Sequence, residues 1–568
     1  MREPDPEVIE SLSSGLGISE LWSRILASRG VKTPEEARVF VEPSESGLLD
    51  PFLFGEMEKA VSAVERAVSS GGKILVHGDY DADGICGAAM LYNGLAAAGA
   101  DVHYFVPDRV KDGYGLSRRM MERGVEKRLG LVISVDCGSG DGEIVEYLAA
   151  RGVESVITDH HETDSRIPGA SAFLNPKLPG EPYPFKELAG VGVAFKLLQA
   201  LEIGMGVDLG TSGLLDLVAV GTLGDYSSLT GENRSLVALG MNKLGEWKRP
   251  GFEALRAECG LSPTGFTARQ ICFTIVPRLN SPGRMGSARS VVRLLTTEDP
   301  VEAARIAASI ENENSRRKAF DSRVTEEARY LADVVLRRGD PSALVFSSAS
   351  WHEGVVGIGA ARLAENYNLP SVLIAVRDGV GKGSGRTAGR VNMKEALARC
   401  EDCLITFGGH REAGGFTIEE SEIPRFNRKF NAAVEEMMSD SPAGGPVFVD
   451  AEALVEECNL ALTGFLGRLE PFGPGNHEPL LMLRGVEVAE GTRIVGRGHL
   501  RIRVGGRAER DIIGFSLGKT WSPADIIGSK VDVLCHVRKN RWRGREELQI
   551  QATVLRLSES LEKMEEMT

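Results

Sequence analysis

The chain carries the run VHGDYDADG at residues 76–84, directly after Ile74 and Leu75. The apolar residues predict a short buried strand, and the Ala-rich segment 84–98 that follows predicts a helix. Open α/β sheets bind ligands at this edge, where a parallel strand ends and a helix begins. The run brings four polar side chains to that edge: His77, Asp79, Asp81 and Asp83.

The three carboxylates of this run repel one another unless a cation neutralises them. Carboxylate and imidazole ligands together favour Mg or Mn over a structural zinc. The alternative is an Asp-rich loop that only caps the following helix, a role for which one Asp is enough. The crowding of charge favours the divalent metal.

Composition limits the classes of protein to which the chain can belong. Its 568 residues predict three or four domains. The net charge of −14 argues against a uniformly basic nucleic-acid coat but allows a local basic groove. The sequence offers no membrane span and no signal peptide. The eight scattered Cys, including the CxxC of Cys400 and Cys403, favour a reducing cytoplasm over a disulfide framework.

Patterns along the chain predict an α/β fold in five parts. Strand and helix patterns alternate in two stretches, which is typical of α/β domains. A long helix without Gly, and without Pro after Pro300, joins them. Short β patterns after a Pro- and Gly-rich linker fit a β-barrel, with an OB-fold as the best match. The predicted parts are a helical lead-in (1–50), a first α/β domain (51–245), a connecting region with the long bridging helix (246–337), a second α/β domain (338–440) and a C-terminal OB-fold β-barrel (447–557).

Acidic and imidazole side chains recur after the strands predicted for the first α/β domain. These strands are 74–77, 102–106, 131–135, 155–158 and a fifth at 217–220. Because the carboxyl ends of parallel strands converge on one edge, packing alone explains this recurrence poorly. Together they supply enough ligands for two metal ions, which stabilise an in-line displacement at phosphorus and lower the pKa of water. The six candidate ligands are His77, Asp81, Asp83, Asp136, His160 and Asp225.

Several motifs occur in a fixed order, and they resemble one family. They are HxxxDxD (77–83), VDCGSG (135–140), the DHH triplet (159–161), LAGVGVAFKL (188–197), LTGENR (229–234) and PRLNSPGRMGSA (277–288). Over nearly the full length the chain resembles the RecJ family of single-strand-specific 5′→3′ exonucleases, within the DHH phosphoesterase superfamily. One departure is Gly224-Asp225-Tyr226-Ser227, where the family more usually has Ala-Asp followed by apolar residues. The acid is kept.

The resemblance implies roles for the residues of the first α/β domain, which it identifies as a DHH domain. The six candidate ligands match the metal ligands of the family. His161 would lie beside the scissile phosphate as a charge stabiliser or proton donor. Asp159 would orient a ligand His, and Asp79 would be a supporting acid.

The loop 106–117 carries candidate substrate contacts. Arg109 and Tyr114 fit a phosphate clamp and a stacking ring, although a solvated loop would look the same. In the resembling family this loop faces the nucleic acid, which favours substrate binding. Arg278 and Asn280 lie in a stretch with loop-like, electropositive character.

The second α/β domain resembles the DHHA1 domain of the same family. Its basic stretch 381–386 is Gly-rich and is expected to be flexible. The resemblance implies that Ser384 and Arg386 bind a terminal phosphate, and that His410 of the Gly-Gly-His motif faces the metals across a cleft.

The C-terminal barrel has a local basic excess. Residues 491–545 contain 13 Lys and Arg against 4 Asp and Glu, a net charge of +9 within a chain of −14. This asymmetry indicates a polyanion-binding surface. Trp542 lies among basic residues and fits a stacking position, or else a packing role at a hairpin tip. Phe472 begins FGPGN, which resembles a family loop near the entrance for the strand.

The leading interpretation is a two-metal exonuclease, using Mn or Mg, that removes nucleotides from the 5′ end of single-stranded DNA. The resemblance implies a role in DNA repair and recombination, and names a single-strand-binding protein or a helicase as candidate partners. One alternative is a DHH phosphodiesterase of short oligonucleotides, cyclic dinucleotides or polyphosphate. The other is a non-catalytic DNA-binding scaffold, which the retention of all six candidate ligands argues against.

Overall fold

The computed structural model describes most of the chain. The described residues are 4–108, 112–163, 165–167, 169–387, 389, 391–439, 447–505, 510–542 and 545–558, without the side chains of 439, 541, 542, 545 and 546. Two predicted substrate contacts lie outside the described part: Arg109 and the side chain of Trp542. Among the described helices, none combines the length and the apolar character that a membrane span requires.

The chain begins with a helical segment, as predicted. Its helices are α1 (Pro6–Leu16), α2 (Glu20–Ser28) and α3 (Pro34–Val41). Side chains of Ser19 and Thr33 cap the starts of α2 and α3. The segment shares a hydrophobic core with the C-terminal part of the chain, where Trp22 stacks on Phe465 at 4.5 Å between ring centroids. The two ends of the chain are therefore packed together.

A first α/β unit follows, built on a parallel five-stranded sheet in the order β2-β1-β3-β4-β5. The four strands predicted between residues 74 and 158 are confirmed. Its elements are α4 (Met57–Ser69), β1 (Lys73–Gly78), α5 (Ala82–Ala97), β2 (Val102–Phe105), α6 (Arg118–Glu126), β3 (Leu129–Val135), α7 (Gly142–Ala149), β4 (Glu154–Thr158), β5 (Ala172–Leu174), α8 (Gly190–Met205), α9 (Leu215–Asp225) and α10 (Gly231–Leu244).

The fifth predicted strand, 217–220, is wrong. These residues lie inside helix α9, and the fifth strand of the sheet is β5. Every residue of α9 from Leu215 to Leu223 is buried. A helix buried on all sides has no polar face, so its sequence has the same continuous apolar pattern as a buried parallel strand.

Four helices connect the first unit to the next: α11 (Pro250–Cys259), α12 (Ala268–Met285), α13 (Arg289–Thr296) and α14 (Pro300–Leu336). The long bridging helix is confirmed as α14, which has 37 residues and packs on the connecting helices α11, α12 and α13 and on α15 and β6 of the next unit. The loop predicted at 277–284 is wrong, because α12 continues through Pro277 and Pro282. Its buried side chains, including Ile275 and Leu279, pack well enough to override the prolines.

The second α/β unit has a mixed sheet in the order β6-β7-β8-β10-β9. The flexible stretch predicted at 381–386 is wrong, because these residues form the central strand β8. Here the glycines allow close packing: a Cβ on Gly383 would lie 2.1 Å from the Phe416 ring. The elements are β6 (Leu344–Ser348), α15 (Glu353–Tyr367), β7 (Ser371–Arg377), β8 (Val380–Arg386), α16 (Met393–Ala398), β9 (Thr406–Gly409), β10 (Ala413–Glu419) and α17 (Ile423–Ser439).

The C-terminal unit is a seven-stranded sheet in the order β11-β12-β16-β17-β15-β14-β13. Alternating buried and partly exposed residues along β14 match the predicted β pattern. The elements are β11 (Ala451–Glu452), α18 (Leu460–Arg468), β12 (Leu481–Glu487), β13 (Arg493–Val495), β14 (His499–Val504), β15 (Arg510–Gly514), α19 (Pro523–Ile526), β16 (Lys530–Trp542) and β17 (Arg545–Leu557).

Candidate metal centre

Seven acidic and imidazole side chains converge at the carboxyl edge of the first sheet. Within the described residues they form three groups, in each of which the potential ligand atoms lie within 4.8 Å of one another. The groups contain five of the six predicted ligands, together with Asp79 and His161. They are Asp136 with His160 and His161, Asp83 with His160 and Asp225, and Asp79 with Asp81 and Asp136.

Two helix starts hold the carboxylates of the first motif. Asp81 caps α5, where its Oδ1 accepts hydrogen bonds from the amides of Asp83 and Gly84. Both interpretations of this run therefore apply, since Asp81 is a helix cap and also a member of a ligand group. Asp83 accepts hydrogen bonds at 2.8 Å from the amides of Gly190 and Val191, at the start of α8. The positive end of a helix dipole stabilises a carboxylate in this position.

Asp136 and His160 provide the test of whether the site fits a metal ion. Asp136 follows β3 in the left-handed backbone conformation, with φ at +59°. Its Oδ1 lies 3.1 Å from Nε2 of His160, and both atoms are buried without a hydrogen-bond partner in the described part of the chain. Buried polar atoms are nearly always satisfied. A carboxylate oxygen and an imidazole nitrogen are common ligands of divalent cations, so these atoms fit a bound ion.

The electrostatics of the cluster also fit a bound cation. Burial, and then the charges of Asp83 and Asp81, raise the pKa of Asp136 well above its usual range. Burial and the charge of Asp225 have the same effect on the pKa of Asp83. Without a cation, crowding therefore disfavours the ionised carboxylates, and a divalent cation would offset this cost.

His161 and Asp159 form a polar pair at the rim of the cluster. Oδ1 of Asp159 lies 2.8 Å from Nδ1 of His161 and also accepts from the amide of His160. Although burial opposes the charged imidazole, this hydrogen bond raises the pKa of His161. The Tyr114 hydroxyl lies 3.2 Å from the His161 ring nitrogens, and the Tyr114 side chain is 55% exposed.

His77 lies outside the three ligand groups of the described residues. Its Nε2 accepts a hydrogen bond from the Ser117 amide at 3.1 Å, and its Nδ1 lies 3.7 Å from Sγ of Cys137. Burial lowers the pKa of His77 to about 4, so the ring is neutral. Its role as a ligand stays a prediction.

Two predicted substrate contacts on α12 make contacts within the protein. Arg278 is buried and forms an ion pair with Glu311 at 2.5 Å. Oδ1 of Asn280 accepts a hydrogen bond from the Ala82 amide at 2.6 Å, beside Asp81. Asn280 thus supports the start of α5. The substrate contacts of both residues stay predictions.

The second unit places Ser384 and Arg386 beside Gly357, in the second turn of α15. Nη1 of Arg386 donates to Oγ of Ser384 at 2.9 Å. Both side chains lie against Gly357, where an added Cβ would be 3.0 Å from Ser384 Oγ and 3.1 Å from Arg386 Nη2. A hydroxyl and a guanidinium side by side suit a phosphate group.

The last two predicted substrate contacts, His410 and Phe472, differ in how far they are exposed. His410 is exposed after β9, and its Nδ1 accepts from the Glu412 amide at 3.4 Å. Phe472 is half-buried against the core of the C-terminal unit. The sequence analysis assigns no role to Gly190 and Val191, although both lie in the motif LAGVGVAFKL. It also missed Ser227, which donates a hydrogen bond to the Asp225 carboxylate.

Three known domains match the chain. Residues 73–222 match the DHH family, N-terminal domain, residues 340–436 match the DHHA1 domain, and residues 449–553 match the RecJ OB domain. The predicted fold class is confirmed: a DHH parallel sheet, a DHHA1 domain and an OB-like C-terminal domain.

Curated relatives resemble the chain over most of its length. The single-stranded-DNA-specific exonuclease RecJ of Bacillus subtilis (strain 168) is 33% identical over 556 residues, which cover 97% of this chain and 70% of the relative. RecJ of Thermus thermophilus is 35% identical over 514 residues, which cover 89% of this chain and 72% of the relative.

Solved structures agree with these relatives. RecJ from Thermus thermophilus in complex with Mn²⁺ superimposes with a TM-score of 0.84 at 30% identity, covering 99% of this chain and 79% of that chain. An exonuclease RecJ bound to manganese is 34% identical, with a TM-score of 0.59, covering 68% of this chain and 96% of that chain. The chain therefore belongs to the RecJ family of single-stranded-DNA-specific exonucleases.

Proposed function

We propose that the protein is a 5′→3′ exonuclease that hydrolyses single-stranded DNA and releases 5′ nucleotides, in DNA repair and recombination. The observation that carries the proposal is the pair of buried, unpartnered ligand atoms on Asp136 and His160 within a cluster of carboxylates. The relatives named as single-stranded-DNA-specific exonucleases support the choice of substrate.

The metal centre would hold two divalent ions, Mn or Mg. Asp136 and His160 each belong to two of the three ligand groups, which supports a site with room for more than one ion. Divalent ions in such sites neutralise phosphate charge and make water a better nucleophile at neutral pH. Asp83 and Asp225 complete one group, and Asp79 and Asp81 complete another.

The pair of His161 and Asp159 would act on the scissile phosphate. Asp159 fixes the His161 ring through Nδ1 and favours its protonated form. A protonated imidazole at the rim of the metal centre can stabilise the phosphate oxygens or donate a proton to the leaving oxygen. The exposed Tyr114 ring next to it is available for a base or sugar.

The 5′ end would bind at the second unit. Ser384 and Arg386 offer a hydroxyl and a guanidinium side by side against α15, and a terminal phosphate there would set the register of cleavage. The C-terminal unit would guide the strand with its basic excess. Part of that charge is compensated internally, since Arg538 pairs with Glu478 and Arg501 with Asp511.

The proposed protein has five parts, with bounds at 1–50, 51–245, 246–337, 338–440 and 447–557. The proposed location is the cytoplasm, and the eight cysteines, all among the described residues, are free thiols. A single-strand-binding protein or a helicase is the proposed protein partner, on the resemblance alone.

The test is degradation of 5′-labelled and 3′-labelled single-stranded DNA with Mn, Mg or EDTA, beside duplex DNA and RNA. Asp136→Asn serves as the inactive variant, because Asn tolerates the left-handed backbone at this position. Metal-dependent release of mononucleotides from the 5′ label, lost in the variant, is expected. Cleavage restricted to dinucleotides or cyclic dinucleotides, or strand binding without cleavage, would contradict the proposal.

A further inference from the structure

Ser227 holds one oxygen of a candidate metal ligand. Asp225 ends α9, Tyr226 turns the backbone in the left-handed conformation with φ at +64°, and Ser227 then donates its hydroxyl hydrogen to Asp225 Oδ2. The other oxygen, Oδ1, lies 3.9 Å from Nε2 of His160. The hydroxyl thus fixes the carboxylate with Oδ1 towards the ligand cluster.

The residues after Ser227 are fastened to the C-terminal unit. The Leu229 amide donates to the carbonyl of Pro474 at 2.7 Å. Gly475 packs so closely that a Cβ would lie 2.4 Å from Oγ of Ser228 and 2.8 Å from Cγ2 of Thr230. These contacts define a docking loop, residues 472–476, that belongs to the C-terminal unit and lies against the segment 228–230.

The docking loop has a fixed shape. Nδ2 of the buried Asn476 donates at 2.9 Å to the carbonyls of Leu469 and Pro471. The Gly473 amide and the Asn476 carbonyl also form a hydrogen bond, at 3.0 Å. A rigid loop of the C-terminal unit is therefore connected to a candidate metal ligand through a few consecutive residues.

We propose that Ser227 is a positioning residue of the metal centre, and that the C-terminal unit holds it in place through the docking loop. The inference rests on the metal-dependent function proposed above and adds to it a link from the strand-guiding unit to the metal. Hydrogen bonds to a ligand carboxylate fix its orientation and tune its donor strength, and their loss typically weakens metal binding by about 10–100-fold.

The first test measures Mn²⁺ affinity by titration calorimetry on the full-length protein without DNA. We expect Ser227→Ala to bind Mn²⁺ about 10-fold more weakly, and Ser227→Thr, which keeps the hydroxyl, to stay near wild type. The matched control is Ser558→Ala, which removes a hydroxyl from the Asp532 carboxylate in the C-terminal unit. Equal or tighter binding by Ser227→Ala, or an equal loss in the control, would overturn the proposal.

The second test addresses the docking loop. Gly475→Ala and Gly528→Ala impose the same backbone strain, since φ is +72° and +79°, but only position 475 has neighbours within 4 Å. Gly475→Ala should weaken Mn²⁺ binding and reduce the Mn²⁺-induced rise in melting temperature. Gly528→Ala should leave both unchanged. A folded Gly475→Ala variant with wild-type affinity would overturn the link.

Failure of the inference can be told from failure of the proposed function. If the wild type binds no Mn²⁺, both are wrong. If it binds Mn²⁺ and degrades single-stranded DNA, but Ser227→Ala binds equally well, only the inference is wrong. If it binds Mn²⁺ without degrading DNA, the function is wrong, and the ranking of Ser227 variants still decides the inference.

Discussion

Gly190 lies directly against Asp136: a Cβ at position 190 would be 2.6 Å from Cβ of Asp136. The amide of the same Gly190 donates to Oδ2 of Asp83 at 2.8 Å. The first residue of α8 therefore brings together two candidate metal ligands, one from the start of α5 and one from the end of β3. Any side chain here would separate them.

Gly190→Ala is expected to weaken Mn²⁺ binding and DNA cleavage by about 100-fold, because the methyl group displaces Asp136. Alanine is otherwise the better helix former by about 1 kcal/mol, so helix α8 itself should persist. Calorimetry and a nuclease assay measure the effect. Gly192→Ala is the matched control two residues further along α8, since its Cβ would have the Leu188 side chain as its nearest neighbour, with the flexible Cδ2 atom at 3.2 Å. Wild-type Mn²⁺ affinity in Gly190→Ala would show that the close contact is unimportant.

Asp136→Asn is expected to stabilise the metal-free protein at neutral pH. Burial and the neighbouring carboxylates raise the pKa of Asp136 in the folded state. The folded state therefore holds the proton more tightly than the unfolded state, and stability falls as the pH rises from the usual Asp range towards the raised pKa. Because the amide of Asn stays neutral, the variant avoids this loss of stability, which is about 1.4 kcal/mol for each unit by which the pKa is raised.

The check is the melting temperature in EDTA at pH 7 and at pH 4. The variant should melt higher at pH 7, with a smaller difference at pH 4, and Mn²⁺ should stabilise the wild type more. Asp532→Asn is the control, for which we expect the opposite change in stability. Burial acts to raise the pKa of Asp532, but hydrogen bonds from Ser558 and the Gly485 amide outweigh it and lower this pKa. The folded state therefore favours the ionised carboxylate, and the variant that lacks it should lose stability at pH 7. A destabilised Asp136→Asn protein in EDTA would refute the prediction.

Asp159→Asn should move the pH dependence of cleavage. Despite the opposing effect of burial, the hydrogen bond that His161 donates to Asp159 raises the pKa of His161. If protonated His161 takes part in the reaction, kcat falls as the pH rises through that pKa, and the variant should lose activity at a lower pH than the wild type. His161→Ala should reduce kcat by about 10²–10⁴-fold at pH values below that pKa, with a smaller difference above it. Parallel pH profiles of wild type and Asp159→Asn at saturating Mn²⁺ would argue that Asp159 is only structural.

Arg386→Ala and Ser384→Ala should reduce the preference for a 5′-phosphorylated strand. A hydrogen bond to a charged group contributes about 1.5–3 kcal/mol, so KM for the phosphorylated strand should rise by about 10-fold or more. A strand with a 5′ hydroxyl should be affected less. Lys382→Ala is the control, because it removes an exposed charge from the same strand, where Nζ bonds Oγ1 of Thr417. Equal effects on both kinds of strand end would contradict a terminal-phosphate site.

The sequence predicts which residues join the candidate site better than it predicts the helices and strands on which they lie. Asp225 joins a ligand group as expected, yet it ends a helix rather than a strand, because a fully buried helix and a buried strand share an apolar pattern. The stretch 277–284 has a loop-like sequence, but packing holds it in a helix. The contacts of Gly190 with Asp83 and Asp136 join distant parts of the chain, so only the folded structure can reveal them.

Arg234 joins three parts of the chain, and its replacement by Lys should loosen them. Its buried guanidinium stacks on Phe40 at 3.8 Å and donates to the carbonyls of Phe40, Arg468 and Glu470. Lys lacks the planar fork, and each buried carbonyl left without a donor costs about 1–3 kcal/mol. Arg234→Lys should therefore lower the melting temperature and expose the N-terminal helices to protease before the first α/β unit. Arg468→Ala, which removes only an exposed ion pair with Glu42, should cost less than about 1 kcal/mol. Equal protease resistance of Arg234→Lys and wild type would mean that hydrophobic contacts such as Trp22 on Phe465 suffice to hold the two ends of the chain together.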